Sequence, residues 1–313
     1  MPPSRGHILY MRMSNMTMNL SSLSKDAKAR IGLISLSGKL GFTSFIILSS
    51  IIIYFLIEKA PMPILGAIIV IACLSAFMPY FLLKSRYEKW YLNKINPLVV
   101  GEVNKKGINV HYEQTTLSKE NINACNILQN VDLVEGGFVI TIKSQNKVVR
   151  FSKINCYNYV HHKISNKDIK EGRRLPVFEG IFMSINLNNK DSLSNITLMS
   201  QNIPRSDSSF STLRLQNELY KDGKKVKIKG YDFYQYSTEV ESNSINIVED
   251  IIDIQKMLEL SKYLIIGLSN NSLFIIYPGT EYFQISTDKR FVEESINRDH
   301  YFLDNLLSAL KIA

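Results

Sequence analysis

Cys156, His161 and His162 fall within seven positions of one another, and Asp168 follows six positions later. A thiol beside an imidazole is the start of a nucleophilic centre. The ring takes the thiol proton, and a carboxylate fixes the ring's tautomer and angle. Such a set would make the chain a hydrolytic enzyme. The stretch from His161 to Leu175 is polar and basic, however, and reads as a solvated loop with nothing to hold the four side chains in one place. Catalysis is therefore the alternative reading and not the expected one. His111 and His300 are isolated and read as structural. No HExxH, GxSxG, GxxxxGK[ST] or GxGxxG occurs, and Gly136–Gly137 reads as a turn before a strand.

The three cysteines, Cys73, Cys125 and Cys156, are odd in number and scattered. They show no CxxC spacing, which argues against a disulfide framework and against a zinc site. Reduced thiols in a cytoplasmic compartment are expected, with no metal and no cofactor.

A second feature able to bind is the lysine run Lys224, Lys225, Lys227 and Lys229, just after Lys221. Val226 and Ile228 alternate with it, so the odd-numbered lysines share one face of a strand. Lysines on an edge strand block edge-to-edge association. The same face could meet anionic lipid headgroups or a protein partner.

The elements that must position these residues begin with two apolar runs. No residue from Leu40 to Ile57 is charged, nor any from Ala60 to Leu83. A hydrocarbon core of about 30 Å needs roughly 20 helical residues, so both runs qualify as spans. Only Glu58 and Lys59 separate them, which implies a tight helical hairpin with Pro61 and Pro63 at its turn. No small-x-small cleavage site follows the first run, so a cleaved signal peptide is not expected.

Charge then orients the hairpin. Arg5, Arg12, Lys25, Lys28, Arg30 and Lys39 precede the first run, and Lys84, Arg86, Lys89 and Lys94 follow the second. The turn holds Lys59 alone, offset by Glu58. The positive-inside rule places both ends in the cytoplasm. Tyr87, Trp90 and Tyr91 stand where an aromatic belt would anchor the exit at the membrane interface.

Composition agrees once it is divided at this boundary. The chain has 313 residues and a formal net charge of +9, with a mean hydropathy of −0.02. Before position 84 there are 7 basic and 2 acidic residues; from position 84 onward, 30 and 26. The larger part is nearly balanced, which removes the case for a nucleic-acid partner.

Three regions follow: a mostly disordered tail over 1–39, a two-helix transmembrane hairpin over 40–83, and a cytoplasmic domain over 84–313. Within the tail, Ser24 reads as the cap of a short helix with Ile31, Leu33 and Ile34 toward the bilayer. Asn96, Pro97 and Gly107 read as the cap, first position and end of another. Ser118 reads as the cap of a helix over KENINACNIL. Strands are expected over 108–114, 137–143, 147–154 and 176–187, a long strand over KVKIKGYDFYQYSTEV, and a hairpin around Asn270–Asn271. Helices are expected over Glu249–Leu260 and from Asp288 onward. The fold class is α+β with a mixed, largely antiparallel sheet.

The order of these motifs resembles a known family. Two spans are followed by YEKWYLNKI, VHYEQTTLSKENINACNIL, VDLVEGG, VVRFSKI, VFEGIFMSINLNN and, near the end, IGLSNNSLFIIYP. This order is similar to that of the bacterial two-span membrane family catalogued as domain of unknown function 3137. The resemblance covers roughly Tyr87 to Ser286 and includes a Phe–x–Gly–x–Phe strand, here Phe178, Gly180 and Phe182. It departs at KIKGYDF and VEDIID. It implies a bacterial inner-membrane protein with a cytoplasmic domain, and it brings no catalytic residues. The expected function is accordingly that of a membrane-anchored binding or scaffold domain. The alternatives are a tethered hydrolase using the His161–His162 loop, or a translocated effector.

Overall fold

The computed structural model describes residues 20–57, 62–104, 108–125, 127–128, 131–144, 147–160, 173–187, 196–200, 223–237, 242–261, 263–269, 271–278 and 282–312. The chain forms two compact units, residues 1–80 with 288–293, and residues 81–287 with 294–313.

The first unit is built on a long helix, α1 (Leu20–Ile57), and the opening of a second, α2 (Met62–Asn104). They pack as an antiparallel pair. Gly38 faces Tyr80, Gly41 faces Ala76, and the Phe45 and Phe77 rings lie 5.7 Å apart. The approach is closest at Gly41, where an added Cβ would stand 2.1 Å from the Ala76 carbonyl oxygen. Outside this seam the helices expose apolar side chains, among them Leu36, Phe42, Ile47, Ile53, Val70, Leu74 and Met78. Both helices are long and apolar enough to cross a membrane, and only 6% of each apolar window is buried.

Two expectations change here. Residues 20–39 are the first half of α1 and not a disordered tail; the run from Leu20 into the apolar segment holds no proline, and the helix continues through Gly32 and Gly38. Ser24 begins no helix; it lies inside α1 and is buried with Leu23, Ala27, Ile31 and Ile34, while Leu33 is exposed. Likewise Asn96 and Pro97 begin no new helix, since both lie within α2. Residues 1–19 lie outside the described residues.

The second unit is α+β. Its sheet has ten strands among the described residues: β1 (Asn109–Glu113), β2 (Leu133–Gly136), β3 (Val139–Lys143), β4 (Lys147–Val160), β5 (Arg173–Leu187), β6 (Ile196–Ser200), β7 (Lys224–Ile228), β8 (Tyr231–Ser237), β9 (Ile265–Ser269) and β10 (Ser272–Pro278). The order is β1-β3-β4-β5-β10-β9-β6-β8-β7, with β2 paired to β4, and every pairing is antiparallel. Its helices among the described residues, after the end of α2, are α3 (Lys119–Asn123), α4 (Ser242–Ile251), α5 (Ile254–Leu260) and α6 (Val292–Ala309).

Both faces of the central strands are covered, which is why β5, β9 and β10 read as nearly continuous apolar runs. Ile154, Cys156, Phe178, Phe182, Phe274 and Ile276 meet Leu117, Ile122, Cys125, Ile127, Leu128 and Val131 from the α3 segment. Phe178 and Phe182 of the Phe–x–Gly–x–Phe strand belong to this layer, and Phe182 lies 5.9 Å from Phe274. On the opposite face, Phe151 and Tyr277 contact Phe302 of α6 at 6.4 and 6.0 Å. The Tyr277 hydroxyl also meets the sulfur of Met257 on α5.

Local chemistry sets the boundaries. Ser118 caps α3 as expected, accepting from the Asn121 N–H, but α3 stops at Asn123 and does not run through Leu128. The segment expected as one helix over Glu249–Leu260 breaks in two, because Asp253 caps α5 by accepting from the Lys256 N–H. The long strand expected from Lys225 is a hairpin: Lys229 and Gly230 hold φ of +47° and +89°, as a two-residue turn between β7 and β8 requires. The β9–β10 hairpin forms where expected, with Ser269 paired to Ser272.

Candidate functional site

Cys156 lies on β4, in the layer that faces α3. A register shift between Cys156 and Tyr157 leaves an extra residue on β5. The side chain is 0% exposed. Burial pushes its thiol up to about 12, and the neighbouring Cys125 thiol adds to the rise. Cys125 is itself raised to about 11 by burial, although its sulfur accepts the Leu128 N–H at 3.3 Å. A nucleophilic cysteine needs the opposite environment, an accessible thiol with a depressed pKa. The assignment of Cys156 as a nucleophile is therefore corrected: it is a core thiol. His161, His162 and Asp168 lie outside the described residues. Among the described residues no group of three or more His, Cys, Asp or Glu could hold a metal ion.

Strand β7 is the last strand of the sheet among the described residues, and Lys224, Lys225 and Lys227 lie on it. All three are exposed, while Ile228 is buried, as the alternation requires. Lys225 sits 6.0 Å over the Tyr234 ring. Lys229 has a different task. It occupies the turn, and its Nζ donates to the Glu249 carbonyl at 3.0 Å. Lys311 Nζ donates to the Glu249 and Asp250 carbonyls at 3.3 and 2.7 Å. Two ammonium groups thus satisfy carbonyls left open at the end of α4 and offset its negative pole.

Tyr87 and Tyr91 form no exposed belt. They are 2% and 0% exposed, respectively. The Tyr87 hydroxyl donates to the Ser286 carbonyl at 2.8 Å. Trp90 is half-buried and stacks on Tyr87 at 6.0 Å. The rings turn inward because α2 continues past Leu83 as part of the second unit, and every third or fourth residue of its continuation (Tyr87, Tyr91, Ile95, Val99) is buried.

Sequence reasoning missed the most perturbed acid in the domain. Asp299 of α6 is 1% exposed. Burial pushes its carboxyl up to about 7, against the pull of the Phe283 N–H, Arg298 and Lys153. Its Oδ1 accepts from the Phe283 backbone N–H at 2.7 Å. Phe283 holds a left-handed φ of +54° and packs its ring 5.1 Å from Phe138, 5.8 Å from Phe151 and 5.9 Å from Phe302. Lys153 of β4 approaches from the sheet. Burial lowers its pKa, while Glu179 and Asp299 oppose the change. The Tyr91 hydroxyl feels the same carboxyl, beside Ser295 and Arg298. A group this enclosed touches no external substrate, so Asp299 is a positioning residue that fixes the chain entering α6. One sequence signal pointed to it: Asp299 falls on the apolar stripe Val292, Ile296, Leu303, Leu306 and Leu310.

The chain matches no family model, no curated protein and no solved structure.

Proposed function

We propose that this chain is a bacterial inner-membrane protein in which the α1–α2 pair is a two-span anchor and the sheet domain is a cytoplasmic binding or scaffold module. One observation carries the reading. α1 exposes Leu36, Leu40, Phe42, Ile46, Ile47, Ile51, Ile53 and Tyr54, and α2 exposes Ile69, Val70, Ile71, Leu74, Phe77, Met78, Phe81 and Leu82. A continuous apolar surface of this kind is far larger than soluble monomers expose. Leu36 to Tyr54 measures about 28 Å at roughly 1.5 Å per residue, close to the thickness of the hydrocarbon core. The cations flanking both runs support a cytoplasmic domain. The resemblance of the motif order to that of the bacterial two-span family fits the same arrangement. The module binds a protein or lipid partner and performs no chemistry; burial of Cys156 removes the best nucleophile from the alternative.

Alkaline carbonate extraction tests the anchor. The full chain stays with the membrane pellet, and residues 84–313 expressed alone do not. Release of the full chain by carbonate overturns the proposal.

A further inference from the structure

The turn that precedes α6 belongs to the first unit: residues 288–293 pack with α1. Lys28 Nζ donates to the Glu293 carboxylate at 3.1 Å. The Lys289 ammonium lies against Gly32, where an added Cβ would stand 2.6 Å from Nζ. The turn is therefore fixed at a known height on α1. Gly32 is four residues from Leu36, about 6 Å along the axis at roughly 1.5 Å per residue. If the exposed apolar surface from Leu36 to Tyr54 fills the hydrocarbon, that height falls in the headgroup layer, which is roughly 5–8 Å deep on each side.

The turn carries residues suited to that layer. Phe291 is 51% exposed, although an apolar ring gains nothing from water. The Arg290 guanidinium lies 5.3 Å over the same ring. Asp288 pairs with Arg290 at 2.7 Å and holds it in place, while among the described residues Lys289 has no ion-pair partner. With Lys25, Lys28, Arg30 and Lys39 of α1, bases outnumber the acids Asp26, Asp288 and Glu293 in this part of the unit.

We infer that the 288–291 turn is a second membrane contact, in which Phe291 dips into the interface and Lys289 and Arg290 meet anionic lipid headgroups. The inference rests on the membrane reading above. It moves the lipid contact from Lys224, Lys225 and Lys227 to a basic–aromatic turn further along the chain.

The test uses the full chain in vesicles, with Trp90→Phe removing the native indole. Phe291→Trp then reports depth through quenching by lipids brominated near the carbonyl end of the acyl chain. Ile47→Trp in the same background, read with lipids brominated near the methyl end of the acyl chain, reports whether the hairpin is inserted. Expected is quenching of both indoles in vesicles of phosphatidylethanolamine and phosphatidylglycerol. Lys289→Gln with Arg290→Gln should weaken the Phe291→Trp contact by roughly fivefold per base, and only where anionic lipid is present. Quenching at position 47 with none at position 291 overturns this inference and leaves the anchor standing. Loss of quenching at both positions overturns both. Quenching at position 291 that ignores lipid charge and both basic residues overturns the headgroup assignment.

Discussion

The Asp299 carboxyl accepts the Phe283 backbone N–H at 2.7 Å, and Phe283 is held at φ +54°. A non-glycine residue in that region is strained by about 1 kcal/mol or more and persists only where its surroundings fix it. Asp299 is what fixes it, at the junction between the sheet and α6.

A pH dependence follows. The folded state raises the Asp299 carboxyl to about 7, against about 4 in the unfolded chain. Between those values the folded state binds the extra proton, so stability falls as pH rises, by a few kcal/mol at most, and is flat above the folded value. Denaturant unfolding of the detergent-solubilised chain, followed by Trp90 fluorescence from pH 4.5 to 8, should show this slope. Asp299→Asn keeps an acceptor for Phe283 and carries no charge, so it should flatten the slope. An unchanged slope in that variant contradicts the assignment.

The cysteines give a chemical prediction. With thiols raised to about 11 and about 12, Cys125 and Cys156 form almost no thiolate at neutral pH. Neither should be alkylated in the folded protein, and both should be alkylated in denaturant, as read by mass spectrometry. Rapid modification of Cys156 in the native state would restore the nucleophile reading.

The lysines divide by task. Lys311→Ala should lower the stability of the domain by about 0.5–1 kcal/mol, because it uncovers the Asp250 carbonyl and leaves the Glu249 carbonyl to Lys229 alone. Lys225→Val with Lys227→Val should leave stability nearly unchanged and increase light scattering on standing, because an uncharged edge strand invites pairing.

The helix pair depends on Gly41. In a Cys73→Ser background, Phe45→Cys with Phe77→Cys should be bridged by a short bifunctional thiol reagent, since the native rings face each other at 5.7 Å. Adding Gly41→Leu should reduce the crosslink to background, because a Cβ there meets the Ala76 carbonyl. Gly66→Ala, with open space around it, should not.

Much of this architecture was legible in the residues. The uncharged runs marked the helix pair, the alternation of Val226 and Ile228 marked an edge strand, and Asn270–Asn271 marked a hairpin. The errors share one cause, which is that local signals were overridden by tertiary packing. Asn96–Pro97 has the form of a helix start, yet Ile95, Val99 and Val100 are buried along one continuing helix. Tyr87 and Tyr91 have the composition of an interface belt, yet the same continuation turns them inward. Gly230 was readable as a turn, but the β pattern on either side ran through it. Asp299 was visible as a lone acid on an apolar stripe. Its partner Phe283 is 16 residues away, a distance that no local pattern spans.

The central claim is the two-span anchor with a cytoplasmic domain. Fusions of an alkaline phosphatase and of a green fluorescent protein, each placed after Lys59 and after Ala313, test it most directly. The account predicts phosphatase activity only at Lys59 and fluorescence only at Ala313. Phosphatase activity at Ala313, or fluorescence at both positions from a chain recovered outside the membrane fraction, would contradict it.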